Sequence, residues 1–62
     1  MLDNKIKRLY KSKGLTQDEL AELVGITKAN LNRIINKKSK PSLRTALKLA
    51  EVLETDINNL FD

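Results

Sequence analysis

Glycines at 14 and 25, a lysine-rich loop ending in Pro41 and a break at Glu54–Asp56 cut this chain into pieces of about ten residues. Each piece is long enough for about three helical turns at most. Within the pieces, apolar residues recur at helical spacing. No run shows the period-two alternation of β-branched residues that a half-buried strand requires. The fold class is therefore all-α: five short helices in a single domain, 1–62, with no linker, repeat or low-complexity tract.

So short a chain buries only about 60% of the surface its unfolded form exposes. It contains neither cysteine nor histidine, which excludes a disulfide framework and a Cys/His zinc site. Most nucleophile–base pairs of hydrolytic catalysis are absent for the same reason. Tyr10 and Phe61 are the only aromatics, so aliphatic side chains must build the core. No apolar run exceeds two residues, too short for a membrane span or the apolar stretch of a signal peptide. The expected setting is cytoplasmic.

Helix 1 is expected from about Asn4 to Lys13, capped by Asp3, with Ile6, Leu9 and Tyr10 on one face and Lys13 at its edge. Gly14 fits the left-handed position just past its end. Thr16-Gln17-Asp18-Glu19 is a capping box that opens helix 2. Leu20, Ala21 and Val24 form the buried stripe of that helix, Leu23 lies nearer the rim, and Gly25 ends it. Helix 3 starts after Thr27 and runs to about Asn36. Leu31 and Ile34 point inward, while Lys28, Ala29, Asn32, Arg33 and Asn36 point outward. Helix 4 follows Pro41-Ser42, and Leu43, Ala46, Leu47, Leu49, Ala50 and Leu53 give it the broad apolar face of a central helix. A last turn, capped by Asp56, carries Ile57, Leu60 and Phe61.

The formal net charge is +4 and the pI about 9.6, but distribution says more than the total. Residues 27–44 carry Lys28, Arg33, Lys37, Lys38, Lys40 and Arg44 with no acid, whereas residues 15–26 and 45–62 are each net negative. A concentrated positive patch suggests a polyanionic partner. Only Gly25-Ile26-Thr27 separates helices 2 and 3, the spacing of a helix-turn-helix. The outer face of helix 3 has no acid, although a merely solvated face would usually mix acids with bases to gain i,i+4 pairs. Arg and Lys donate to guanine O6/N7, and Asn both donates to and accepts from adenine. These features together favour nucleic acid over an ordinary helical corner.

Leu15-Thr16-Gln17-Asp18-Glu19-Leu20-Ala21, then Gly25-Ile26-Thr27, Arg33-Ile34, Pro41-Ser42-Leu43 and Leu53 resemble the lambda-repressor/Cro-like, or XRE, family over nearly the whole chain. The resemblance implies a five-helix DNA-binding domain whose helix 3 enters the major groove of a double-stranded operator, bound as a two-fold homodimer. By position it implies base contacts from Lys28, Ala29, Asn32 and Arg33, with Ala29 offering only its methyl. It implies phosphate contacts from Gln17, Asn36, Lys38, Lys40 and Arg44. Dimer contacts are expected from Leu53, Thr55, Ile57, Leu60 and Phe61, read as the sizeable apolar surface away from helix 3. The chain departs from the family pattern where Lys37 and Glu54 replace glycines, and where Tyr10 and Ile35 replace an Arg and a Glu that form an ion pair. Lys37 then either lets helix 3 run on or adopts a strained turn. Tyr10 and Ile35 are expected to touch as an apolar clasp.

The function these features favour is a sequence-specific transcriptional regulator, a Cro-like repressor with no room for a small-molecule effector pocket. Two alternatives stand beside it. One is the antitoxin of a toxin–antitoxin pair that represses its own operon, and the other is a protein-interaction module that keeps the fold but binds no DNA. No enzyme is expected, because no carboxylate is paired with a nucleophile. No cofactor or metal is expected either, since Asp18, Glu19 and Glu22 suit the positive end of a helix dipole. A basic membrane-surface helix fits poorly, because the positive charge is spread over several helices.

Overall fold

The computed structural model describes residues 5–60. Five helices follow one another: α1 (Lys5–Ser12), α2 (Gln17–Val24), α3 (Lys28–Ile35), α4 (Leu43–Val52) and α5 (Ile57–Leu60). No strand occurs among the described residues, and none of their helices is long and apolar enough to cross a membrane. The expected start of helix 1 at Asn4, its Asp3 cap and the placement of Phe61 fall outside the described residues.

The helices start where side chains can satisfy their first amides. At α2 the capping box is complete: the Glu19 amide donates to Thr16 Oγ1 (3.1 Å), and the Thr16 amide donates to Glu19 Oε1 (2.8 Å). Thr27 accepts from the Asn30 amide (3.0 Å) at α3, and Ser42 accepts from the Thr45 amide (3.2 Å) at α4. Asp56 accepts from the Asn58 amide (3.0 Å) ahead of α5.

Helices α1 to α4 all stop in the same way. A residue of positive φ closes each of them, and the two amides at that point bond back to carbonyls of the last turn, as in a Schellman motif. For α1 the closing residue is Gly14 (φ 74°) and for α2 it is Gly25 (φ 86°). For α3 it is Lys37 (φ 60°), with the Lys37 amide on the Ile34 oxygen (3.1 Å) and the Lys38 amide on the Arg33 oxygen (2.8 Å). For α4 it is Glu54 (φ 54°), with the Glu54 amide on Glu51 (3.2 Å) and the Thr55 amide on Ala50 (3.0 Å). Lys37 therefore takes the strained turn, and helix 3 does not run on.

Leu20, Leu31, Leu49 and Leu53 are the fully buried large side chains, joined in one core by Ile6, Tyr10, Ala21, Ile34, Ile35, Ala50 and Leu60. The hub is α2, which packs against α1, α3 and α4, while α5 packs on α4. This corrects the expectation of a central helix 4 with a broad buried face: Leu43 is 72% exposed and Leu47 52%. Both line an open groove with Val24, Gly25 and Ile26 at the end of α2. Leu23, placed near the rim, is likewise exposed. The expected dimer patch is also largely consumed by the monomer. Leu53 and Leu60 are buried, and Thr55 and Ile57 are half-buried.

Candidate nucleic-acid interface

Thr27 at one end and the Lys37 turn at the other fix the length of α3 at little more than two turns. Leu31, Ile34 and Ile35 anchor it to the core, which forces the remaining positions outward. Lys28, Ala29, Asn32 and Arg33 line one shallow open cleft of about 710 Å³, and Lys38 joins them from the loop. All five are exposed. The four expected base-contact residues are thus brought together, with one of the expected phosphate contacts at the edge.

Two polar bonds tune this face. Asn36 Nδ2 donates to both the carbonyl oxygen (3.0 Å) and Oδ1 (2.9 Å) of Asn32. The Asn36 amide is therefore engaged inside the protein, in competition with the phosphate contact expected of Asn36. The bond fixes the Asn32 amide with its oxygen held and its Nδ2 left to donate into the cleft. At the other end, Lys28 Nζ lies 3.4 Å from Asp18 Oδ1 on α2. Neither bond was legible in the sequence. Asn32 and Asn36 do carry the i,i+4 signal of a helix-surface pair. A lysine opening a helix whose first turn has no acid also signals that an anion must come from elsewhere.

The other expected phosphate contacts are dispersed. Gln17 opens α2 and is half-buried, and its Nε2 is buried without a hydrogen-bond partner. An unsatisfied donor of this kind costs free energy until an acceptor is found. Lys40 lines a separate groove with Ile34, Pro41, Leu43 and Ile57. Arg44 faces a third, beside Val24, Gly25, Ile26 and Leu47. The structure does not bring Arg44 to the α3 cleft.

A family profile described as helix-turn-helix matches residues 6–60. The HTH-type transcriptional regulator SinR of Bacillus subtilis is 35% identical over 63 residues, which cover 100% of this chain and 57% of SinR. An HTH-type transcriptional regulator of Archaeoglobus fulgidus is 37% identical over 57 residues, 92% of this chain and 81% of that protein. The fold matches a crystal structure of SinR, the master regulator for biofilm formation, in complex with DNA. The TM-score is 0.83 at 33% identity, covering 95% of each chain. The chain spans little more than half the length of SinR itself.

Proposed function

The chain belongs to the XRE-type helix-turn-helix family, and from that membership we propose that it is a transcriptional regulator that reads a two-fold DNA operator with α3 in the major groove. The observation that carries this reading is the cleft of Lys28, Ala29, Asn32, Arg33 and Lys38, lined by donors and by no acid. Its likeness to a regulator solved with DNA adds support.

Arg33 and Lys28 donate to guanine O6 and N7. Asn32, its oxygen held by Asn36, acts toward the base edge as a donor. Ala29 offers its methyl to a thymine methyl. Lys38, Lys40 and Arg44 meet phosphates, and Gln17 joins them once its Nε2, buried and without a hydrogen-bond partner in the free protein, turns outward. Such contacts fix position on the duplex and carry no sequence information themselves. Two copies bind half-sites about one turn apart, roughly 34 Å. They meet through Thr55 and Ile57, with Leu53 and Leu60 behind; Phe61, expected there from the sequence, lies outside the described residues, and no small-molecule effector enters the mechanism.

Titration of labelled duplexes at rising salt tests the reading. Several ionic contacts per subunit give a steep fall of log affinity with log salt, and affinity flat in salt would overturn it. Arg33→Ala relaxes base preference at one position, at a cost of roughly 1–3 kcal/mol, while Lys38→Ala weakens all sequences alike. A footprint of one half-site at saturation would contradict the two-fold arrangement.

A further inference from the structure

The helix α3 opens with a cation at the end where its own dipole is positive, and its first turn contains no acid. The compensating charge comes from another helix: the Asp18 carboxylate on α2, 3.4 Å from Lys28. Asp18 directly follows Gln17. The carboxylate is thus next in sequence to the residue assigned to a phosphate and within ion-pair reach of a residue assigned to a base. A negative charge there suits the positive end of α2, yet it also opposes every phosphate within about 10 Å. That opposition contributes to discrimination, since a surface selects its partner partly by what it sets against the others.

We propose that Asp18 is a specificity-determining positioning residue, acting through Lys28. It holds the Lys28 ammonium back from phosphates and yields it only where a base-edge acceptor takes the place of the carboxylate. On unrelated sequences Lys28 stays paired with Asp18 and releases no counterion. On the preferred sequence the bonds to the base offset the loss of the pair. The inference rests on the DNA-reading function proposed above and adds to it the residue that limits indiscriminate binding. Both partners are more than 60% exposed, and an exposed pair shifts an equilibrium by at most about fivefold.

The test begins by enriching a duplex from a random pool with the unaltered protein. Affinities for that duplex and for its scrambled counterpart are then measured across salt for Asp18→Asn, Glu22→Gln, Lys28→Met and Asp18→Asn with Lys28→Met. Asp18→Asn is expected to bind scrambled DNA about three- to fivefold more tightly, with a steeper salt slope. The enriched duplex gains less, so the affinity ratio falls. Glu22→Gln removes the same charge from α2 but leaves the Lys28 pair intact, and the ratio stays constant. With methionine at position 28, Asp18→Asn no longer changes the ratio. Equal effects of Asp18→Asn and Glu22→Gln, or a loss of ratio that persists without Lys28, would overturn the proposal. A pool that enriches nothing would overturn both it and sequence reading by α3, whereas a preserved preference with an unmoved ratio would overturn Asp18's role alone.

Discussion

Lys37 and Glu54 hold φ angles of 60° and 54°, a region in which a Cβ crowds the following carbonyl at a cost of about 1 kcal/mol. Glycine relieves that crowding, and Lys37→Gly is expected to raise stability by about 0.5–1 kcal/mol in urea denaturation. Glu54→Gly gains less, because Glu54 also accepts a hydrogen bond and ion pair from Lys13, at the end of α1. Those interactions hold the Glu54 carboxyl below its ordinary value of 4.5. A carboxyl depressed by folding adds stability above its unfolded pKa, and this is lost as pH falls through the lower, folded value. Melting temperatures of the unaltered protein and Lys13→Met should therefore differ at neutral pH and converge in acid below pH 4.5. A constant gap across that range would show that the pair adds nothing. Replacement of two family glycines marked these positions in the sequence. Which way the chain turned at Lys37 was not legible, because a lysine can occupy either a helix or a strained turn, and the two differ by only about this energy.

At the scale of the elements, helix starts were legible because a cap is a local bond between near neighbours: Thr16, Thr27 and Ser42 all cap as their positions predict. Coverage of a helix is not local. The apolar stripe of α4 could not say which of its edges a neighbour would cover, and Leu43 and Leu47 were left outside. The exposed face of α3 that is proposed to read bases was legible as one face because its positions follow from helical period. The bonds that orient it, Asn36 to Asn32 and Asp18 to Lys28, depend on rotamers and on the angle between α2 and α3. Tyr10 on α1 and Ile35 on α3 are both buried in the same core. As an apolar clasp they would fix how α3 is presented to the groove. Ile35→Glu alone buries an unpaired charge and is expected to cost several kcal/mol. Adding Tyr10→Arg supplies the partner and recovers much of the loss. Urea denaturation of the four proteins in that cycle checks this, and strictly additive losses would exclude the clasp.

For the molecule as a whole, a 62-residue chain has a stability margin of roughly 3–9 kcal/mol. Its leucines divide sharply in what they contribute to that margin. Leu20, Leu31, Leu49 and Leu53 come from α2, α3, α4 and the end of α4, and their side chains are fully buried. They form the shared centre that joins α3 to the rest. Truncation there removes apolar contact and leaves a cavity, at about 2–5 kcal/mol, a large fraction of the whole margin. Leu43 has most of its surface in water and Leu47 about half, so a polar residue in their place forfeits at most about 1 kcal/mol of burial. Leu31→Ala is therefore expected to lower the urea midpoint by a large fraction of its value, and to weaken DNA binding only as far as it unfolds the chain. Leu47→Ser keeps the helical signal and moves the urea midpoint much less. If Leu47→Ser shifts the midpoint as far as Leu31→Ala does, something packs over Leu47 in solution, and the open groove beside α4 is part of a larger core.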